Sequence, residues 1–264
     1  MVKAGRKAVG NASLVWAVDA VDGSQNVEGA ADEARCLFAE TEANQAYIDG
    51  LLRGPESARR QRLQAVILLG KMLESMGIDS RCVSLGREAT GRPFLLQQDN
   101  MDISLSHSAR YVACAVLVGE GRVGIDVEEY GRWTDERACR AMERFFGPEE
   151  RAEAHTAEAF VRLWTLREAV CKLDGQGNPL RVDTARLPAD VWHDTCPVEG
   201  GQFTVAAVQP LNRKNQEGFE MKEIRENYES AEMDVVELTE KDVLTATTDD
   251  NGDIILPDIP VPMG

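Results

Sequence analysis

The sequence has few of the features that mark several large classes of protein. Lys and Arg contribute 29 of its 264 residues against 45 Asp and Glu, and the formal net charge is −16. A chain with so few positive charges relative to negative ones is not expected to be a general nucleic-acid binder, because neutralising phosphates needs clustered Lys and Arg. Its six cysteines include no C-x-x-C pair, and cysteines spread singly over such a length are typical of reduced thiols in a core.

Long apolar segments and a phosphate loop are absent as well. The basic stretch 1–10 is followed by an apolar segment at 14–18, which is far too short for a signal sequence or a membrane span. We therefore expect a cytoplasmic protein with neither a membrane nor a nucleic-acid partner. No G-x-x-x-x-G-K-[ST] motif occurs, which disfavours the commonest class of Mg²⁺-dependent phosphoryl-transfer enzymes. With 43% hydrophobic and 28% charged residues, the composition is that of a globular protein of one large or two small domains.

Residues 123–128 alternate strictly between apolar side chains and other residues, which is typical of a β-strand with two different faces. Asp126 and Glu128 share one face and would lie about 6.5 to 7 Å apart along the strand. Mg²⁺ often binds one or two such carboxylates together with substrate phosphates, and Gly124 beside them leaves room for a bulky ligand. The alternative is a surface strand with a solvated acidic face.

The sequence predicts a meander of three antiparallel strands at residues 101–106, 111–118 and 123–128, because the connections between them are short. His107 falls at the end of the first strand, beside the hydroxyl of Ser106. In this meander His107 would lie in the same sheet as Asp126. A single His is more often structural than a ligand, so its position here is only a candidate for binding.

Helical patterns are predicted over residues 30–77 with a break at 53–55, over 134–144 and over 156–173. The amphipathic helix that follows the break carries Arg59, Arg60 and Arg62, which form either an anion site or a solvated helix side. In the last helix, Glu168 and Lys172 lie one turn apart. Such a pair is also the ordinary helix-surface ion pair, worth about 0.2 to 0.5 kcal/mol.

Three ordered segments resemble the 4′-phosphopantetheinyl transferase family, in the type that serves fatty acid, polyketide and nonribosomal peptide carrier proteins. They are Gly91-Arg92-Pro93 followed by Ser104-Leu105-Ser106-His107-Ser108, the strand 123–128, and Trp164-Thr165-Leu166-Arg167-Glu168-Ala169-Val170-Cys171-Lys172. The resemblance covers residues 14–210. Two positions depart from the family pattern, since Arg92 and Arg167 stand where Lys is common; both keep the positive charge but change the hydrogen-bond geometry.

This resemblance implies an α+β fold of two similar α+β halves related by a pseudo-twofold axis, with coenzyme A between them. The expected organisation is a basic segment at 1–13, an N-terminal half at 14–121, a C-terminal half with the metal site at 122–211, and an acidic tail at 212–264. Residues 213–264 hold 14 acidic and 5 basic residues and few aromatics, so we expect the tail to be partly disordered or docked on the rest. The protein is expected to be a monomer.

The resemblance also implies the site residues and a Mg²⁺ cofactor. Asp126, Glu128 and Glu168 would hold Mg²⁺ against the pyrophosphate of coenzyme A. The catalytic residues would be Glu168 as the base, directly or through a water, Lys172 as the group that stabilises phosphate charge, and Asp126. The residues that bind coenzyme A would be Arg59, Arg60, Arg62, Gly91, Arg92, Pro93, Ser106, His107 and Lys172.

The implied reaction is transfer of the 4′-phosphopantetheine arm of coenzyme A to a serine of an apo acyl or peptidyl carrier protein, a holo-[acyl-carrier-protein] synthase activity that releases 3′,5′-adenosine diphosphate. Carrier proteins are acidic, so a chain of net charge −16 needs a locally basic docking face. The candidates for that face are Arg132, Arg137, Arg140 and Arg144. The alternative is a non-catalytic protein of the same fold that binds coenzyme A or a carrier protein.

Overall fold

The computed structural model describes residues 2–153, 155–175, 179 and 182–208, together with the short strands at 247–248 and 254–255. The chain divides into two compact units, Met1–Leu211 and Asn212–Gly264. Helices and strands alternate irregularly along the first unit, and its strands pair in antiparallel fashion. The predicted α+β class is confirmed.

The N-terminal elements of the first unit are strands β1 (Lys3–Val9) and β2 (Ala12–Ala20), helices α1 (Val27–Leu37), α2 (Glu42–Leu51) and α3 (Glu56–Ser75), and strands β3 (Ser84–Arg87), β4 (Pro93–Leu96), β5 (Met101–His107) and β6 (Tyr111–Val118). The elements that follow are strand β7 (Arg122–Glu129), helices α4 (Asp135–Phe145), α5 (Pro148–Glu153) and α6 (Ala157–Asp174), and strands β8 (Val191–Val198) and β9 (Gly201–Val208).

Two sheets and their helices form the layers of the first unit. One sheet has the strand order β1-β2-β6-β5, and the other has the order β7-β9-β8. Their facing sides share a core that includes Leu14, Leu117, Ile125 and Phe203, all fully buried. Helices α1 to α3 bury their apolar faces against the opposite side of the first sheet, and α6 packs on the second sheet through residues such as Ala169. Burial of both faces explains why β6 is apolar along nearly its whole length.

The predicted three-stranded meander is wrong in its last strand. β5 and β6 pair as expected, but β7 pairs with β9, where Ile125 lies opposite Val205. The chain changes sheets between β6 and β7, at Gly119 and Gly121, whose φ angles of 120° and 137° are accessible mainly to glycine. The apolar face of β7 can then be buried against the first sheet instead of extending it, so His107 and Asp126 belong to different sheets.

The predicted helices agree with the structure, with one additional break. The stretch 30–77 is interrupted at 53–55 as expected, and also at 38–41, where the hydroxyl of Thr41 caps α2 by accepting from the amide of Asn44. Thr134 and Thr156 cap α4 and α6 in the same way. Helix α6 ends at Gly175, which has a left-handed conformation with φ of 67°.

Several strands were not predicted from the sequence. β1 lies within the stretch taken as a basic N-terminal segment at 1–13; its alternation is weak because Lys and Arg occupy both of its faces. β3 and β4, four residues each, form a hairpin around Gly91. β8 contains Pro197 near its end, which is compatible with its position as an edge strand.

The second unit contains one described antiparallel pair, β10 (Thr247–Thr248) with β11 (Ile254–Ile255). The other predictions for the acidic tail fall outside the described residues. The pseudo-twofold relation and the domain boundaries at 14–121, 122–211 and 212–264 stay predictions. Across the parts of the chain that the structure describes, no helix has the length and apolar character needed to span a membrane.

Candidate active site

Strand β7 separates its side chains by face as the alternation predicts. Val123, Ile125 and Val127 are buried between the two sheets, while the opposite face of the strand lies against α6. Gly124 permits this close approach, because a Cβ atom at this position would lie 1.9 Å from the carbonyl oxygen of Ala169. A larger residue would push α6 away from the strand. The alternative interpretation, a surface strand with a solvated acidic face, is therefore wrong.

Lys172, Asp126 and Ser106 form a hydrogen-bonded cluster where α6, β7 and β5 meet. Nζ of Lys172 donates to Oδ1 of Asp126 at 2.8 Å, to Oγ of Ser106 at 3.1 Å and to the carbonyl oxygen of Ile125 at 2.9 Å. Oγ of Ser106 donates to the same Oδ1 at 2.7 Å. Burial by itself would lower the pKa of Lys172, but the charges of Asp126 and Glu168 outweigh it and raise the pKa. Lys172 is therefore a cation at neutral pH.

Asp126 keeps one oxygen without a partner. The residue is only 5% exposed, and within the described part of the chain its buried Oδ2 atom has no hydrogen-bond partner. A buried carboxylate oxygen without a partner raises the free energy of the folded state unless a cation or a hydrogen-bond donor contacts it. The cluster thus offers one hard oxygen to a group that is not part of the chain.

Glu128 and Glu168 lie close enough to Asp126 to share its electrostatic environment. Burial and then the charge of Asp126 raise the pKa of Glu128 to about 8. The same two causes raise the pKa of Glu168 to about 7, and Lys172 opposes the increase. Carboxyl groups that are crowded in this way lack enough neighbouring positive charge to stabilise their ionised forms. A bound cation would return both groups to the ionised state.

The donor chemistry of these carboxylates suits Mg²⁺. Among the residues whose placement is described, no group of three or more His, Cys, Asp or Glu side chains is arranged as a ready metal site. Mg²⁺ does not require one, because it usually takes one or two carboxylates and completes its shell with waters and substrate phosphates. The partnerless Oδ2 atom of Asp126 and the neighbouring Glu128 and Glu168 fit that description. The complete three-carboxylate ligand set stays a prediction.

A cleft of about 290 Å³ opens beside Lys172. Its lining includes seven of the residues that the sequence nominated, namely Arg62, Gly91, Arg92, Pro93, His107, Glu168 and Lys172. Ser106, Asp126 and Glu128 are not among the lining residues, and Asp126 and Ser106 lie in the cluster behind Lys172. The fold therefore places most of the predicted site around a single concavity.

The three arginines of α3 do not act as one group. Arg62 lines the cleft, where burial and then the charges of Arg87 and Arg59 lower its pKa. Arg60 instead pairs with Glu56 at 2.8 Å on its own helix. Arg59 faces the neighbourhood of α1 and is not part of the cleft lining. Contacts of Arg59 and Arg60 with coenzyme A stay predictions, and this geometry favours Arg62 among the three.

His107 lies at the end of β5 as predicted and lines the cleft while retaining surface exposure. The protein atoms packed around its ring, followed by the charges of Lys172 and Arg62, lower the pKa of His107 to about 4. The imidazole is therefore neutral at pH 7. It can donate one N–H hydrogen bond to an anionic ligand but adds no charge of its own.

Arg92 has contacts that differ from those of a simple phosphate ligand. Its side chain is 6% exposed and pairs with the carboxylate of Asp102. It also donates to the carbonyl oxygens of Ile103 at 3.3 Å and Val123 at 3.0 Å, and to the carbonyl oxygen of Lys172. A phosphate contact by Arg92 stays a prediction that these bonds do not favour.

Comparison with known proteins finds a family resemblance in one part of the chain. Residues 122–215 match the family model described as the 4'-phosphopantetheinyl transferase superfamily. This range contains Asp126, Glu128, Glu168 and Lys172. This segment of the chain is similar to the 4'-phosphopantetheinyl transferase superfamily. The resemblance that the sequence motifs indicated is confirmed for this segment.

Individual relatives carry the same description. The chain is 27% identical over 135 residues to a 4'-phosphopantetheinyl transferase of Bacillus subtilis, and 32% identical over 145 residues to the 4'-phosphopantetheinyl transferase psf-1 of Bacillus pumilus. It is 29% identical over 147 residues to a putative 4'-phosphopantetheinyl transferase of Haemophilus influenzae. These matches cover 49%, 50% and 52% of this chain and 58%, 58% and 60% of the relatives' own lengths.

Two residues of the cleft, Arg87 and Tyr47, were not predicted from the sequence. The guanidinium of Arg87 lies over the ring of Tyr47, 4.6 Å from its centroid, and donates to the carbonyl oxygen of Gly91 at 3.0 Å. Together with Arg62 they form one wall of the cleft. Arg87 could have been suspected from its position four residues before Gly91. Tyr47 could not, because it is forty residues upstream on α2.

Proposed function

We propose that the chain transfers the 4′-phosphopantetheine arm of coenzyme A to a serine of an apo carrier protein, with Mg²⁺ as cofactor and 3′,5′-adenosine diphosphate as the product released. The observation that supports this most is the cluster of Lys172, Asp126 and Ser106 beside the cleft. It joins a cation, a carboxylate with a partnerless oxygen and a hydroxyl, and two of its members lie in the segment that matches the superfamily.

Coenzyme A carries a diphosphate and a 3′-phosphate, so its binding site needs several cations. Lys172 reaches one side of the cleft and would contact the diphosphate. Arg62 and Arg87 are further cations of the cleft lining and are suited to the 3′-phosphate. His107 would add a neutral N–H donor to a phosphate oxygen. The adenine ring is a natural partner for the surface made by Tyr47 and Arg87.

Asp126, with Glu128 and Glu168 beside it, would hold Mg²⁺. When bound, Mg²⁺ supplies positive charge between the carboxylates and the diphosphate, which would otherwise repel one another. Lys172 already neutralises one oxygen of Asp126, which leaves the other oxygen for the metal.

In the chemical step, the carrier serine oxygen forms a bond to the phosphorus that bears the pantetheine arm. The bond from that phosphorus to the oxygen of the departing adenosine 3′,5′-diphosphate breaks. Glu168 accepts the serine proton, directly or through a water, as a carboxylate that a bound cation would keep ionised. Lys172 stabilises the charge that develops on the phosphate oxygens.

The carrier protein would dock on the basic side of α4. Its N-terminal turn and the turn before it provide Arg132 and Arg137, and its exposed side provides Arg140 and Arg144. Ala138 and Met142 occupy the buried side of the helix, against α6, so these arginines lie away from the core. An acidic acyl or peptidyl carrier protein would be attracted to such a face. We place the reaction in the cytoplasm, because singly spread cysteines are typical of a reducing compartment.

Mass spectrometry of an apo carrier protein incubated with the chain, coenzyme A and Mg²⁺ tests the proposal. The carrier should gain the mass of phosphopantetheine on its serine, and a carrier with that serine changed to Ala should gain nothing. Apo acyl carrier and apo peptidyl carrier proteins, tried in parallel, show which class is used. If the folded chain binds coenzyme A and leaves every carrier unmodified, the non-catalytic alternative replaces this proposal.

A further inference from the structure

Arg92 connects three separate elements from one buried position. It lies just before β4 and bonds to the side chain of Asp102 and the carbonyl oxygen of Ile103, both on β5. It donates to the carbonyl oxygen of Val123 on β7 at 3.0 Å, and to that of Lys172 on α6. Oδ2 of Asp102 also accepts from the amide of Val123 at 2.7 Å. We refer to the pair of Arg92 and Asp102 as the bracket. Its hydrogen bonds connect β5, β7 and α6.

The elements joined by the bracket are those that carry the polar cluster. Ser106 follows Ile103 by three residues on β5, and Asp126 follows Val123 by three residues on β7. Lys172 contributes its carbonyl oxygen to the bracket and its Nζ atom to the cluster. Any shift of α6 along β7 would therefore break bonds in the bracket and in the cluster together.

The contact with Lys172 uses a feature of helix ends. The last carbonyl groups of a helix have no partner within the helix and carry partial negative charge, so a cation beside them is stabilising. Arg92 binds the carbonyl oxygen of Lys172, and Arg122 binds that of Leu173 at 3.2 Å. The last turn of α6 is thus held by two arginines from outside the helix. Only Arg92 is buried, since Arg122 is 41% exposed.

We propose that Arg92 and Asp102 are positioning residues that hold Lys172 in reach of Asp126 and Ser106, and that Arg92 does not bind a phosphate of coenzyme A. This inference rests on the proposed transfer reaction. Arg92 acts through the backbone of Lys172, and its guanidinium donors are already used by one carboxylate and three carbonyl oxygens. Removing the bracket should lower the rate of transfer and leave coenzyme A binding intact.

The variants Arg92→Gln, Arg92→Lys and Asp102→Asn of the full chain test this proposal, with coenzyme A and 3′-dephospho-coenzyme A as alternative substrates. Because misplacing a reacting group by about 1 Å can cost about a hundredfold in rate, kcat of Arg92→Gln and Asp102→Asn should fall about 10- to 100-fold. KM should stay within about twofold for both substrates, as expected when an interaction acts only in the transition state. Arg92→Lys, which keeps one charged donor, should recover part of the rate.

A matched control separates positioning from loss of stability. Glu150→Gln removes a buried carboxylate from the Arg167 ion pair, whose two residues do not line the cleft, just as Asp102→Asn removes one from the Arg92 pair. Glu150→Gln should destabilise the fold with kcat close to wild type. The double variant Arg92→Gln/Asp102→Asn replaces the ion pair by two neutral amides and keeps the test available if a single variant does not fold. Circular dichroism and thermal melting confirm folding before each assay.

The outcomes are distinct. The proposal is overturned if Arg92→Gln raises KM for coenzyme A and not for the dephospho substrate, because Arg92 would then bind the 3′-phosphate. It is also overturned if Asp102→Asn leaves kcat unchanged, or if Glu150→Gln lowers kcat as much. Wild-type chain without transfer activity refutes the proposed function instead, and that result is visible before any variant is made.

Discussion

Nζ of Lys172 lies 2.8 Å from Oδ1 of Asp126, and this contact joins the last turn of a helix to the centre of a strand in the sheet beneath it. The side chain of Lys172 is 28% exposed and that of Asp126 only 7% exposed, so the lysine of this pair contacts solvent while the carboxylate is buried. Such a pair can present its cation to a ligand in the cleft while its carboxylate stays oriented. Five predictions follow from this arrangement and its surroundings.

The change Asp126→Asn should reduce transfer at least about a hundredfold, because it removes the charge that orients Lys172 and attracts a metal ion. The fold should survive, since Asn keeps the volume and the acceptor that Ser106 and Lys172 use. Single-turnover assays and thermal melting measure the two effects. Glu129→Gln is the matched control, because Glu129 is buried on the same strand but accepts from the amide of Arg110. Equal losses in both variants would argue against a special role for Asp126.

Removing divalent cations should abolish transfer, and Mg²⁺ should restore it. In the absence of a cation, three crowded carboxylates would face the diphosphate of coenzyme A and repel it. The raised pKa values of Glu128 and Glu168 already indicate that negative charge is unfavourable at this place. The measurement is transfer after chelation and after addition of Mg²⁺. A second measurement is the melting temperature, which Mg²⁺ with coenzyme A should raise in wild type and less in Asp126→Asn. Full activity in chelator would contradict the assignment.

The change Gly124→Ala should destabilise the protein by about 1 to 3 kcal/mol, the usual range for overpacking. A Cβ atom here meets the carbonyl oxygen of Ala169, so α6 must move and carry Lys172 with it. Urea unfolding and transfer kinetics should therefore both respond. Gly131→Ala provides the comparison, because a Cβ atom at that position meets nothing within 4 Å. If Gly124→Ala behaved like Gly131→Ala, the close contact would be flexible.

The buried pair of Glu150 and Arg167 should make stability depend on pH in the acid range. Burial favours the neutral acid, but hydrogen bonds from Arg167, Thr184 and the amide of Gly147 prevail and lower the pKa of Glu150. Its contribution is therefore present above the ordinary Glu pKa of about 4.3 and is lost as the pH falls through the lower pKa of the folded state. Urea unfolding between neutral and acid pH measures this slope.

In Glu150→Gln that part of the acid dependence should disappear. Stability at pH 7 should fall by about 3 to 5 kcal/mol, because Arg167, 3% exposed, is left without a buried counter-charge. An unaltered slope in the variant would mean that other carboxylates cause the acid sensitivity.

Reversing charge on α4 with Arg137→Glu/Arg140→Glu should raise KM for the carrier protein roughly tenfold and leave KM for coenzyme A unchanged, since the acidic carrier would be repelled. The effect should shrink at high salt, because exposed charges are screened. Arg140 is 67% exposed, so the fold should tolerate the change. Arg81→Glu/Arg186→Glu makes the same change in net charge elsewhere on the surface. Unchanged carrier kinetics in the α4 variant would remove this face as the docking site.

The sequence motifs predicted more of the site than of the topology. Asp126, Lys172 and His107 were nominated from local patterns, and each lies at or directly behind the cleft. The partner of β7 was predicted wrongly, because short connections favour hairpins and the patterns of β6 and β7 are those of buried strands in either arrangement. Arg92 was nominated as a ligand because local sequence shows a charge in a turn and does not show its acceptors on β5, β7 and α6.

By itself the sequence determined the local positions of the candidate site residues: alternation placed Asp126 on one face of a strand, and helical spacing placed Glu168 and Lys172 one turn apart. Those features depend on neighbours within a few residues. Only the tertiary structure decided which of these groups meet, that Arg62 lines the cleft and Arg60 does not, and that Asp126 keeps a partnerless oxygen. The physical reason is that burial, the close approach of α6 at Gly124 and the pairing of β7 with β9 arise from contacts between distant parts of the chain.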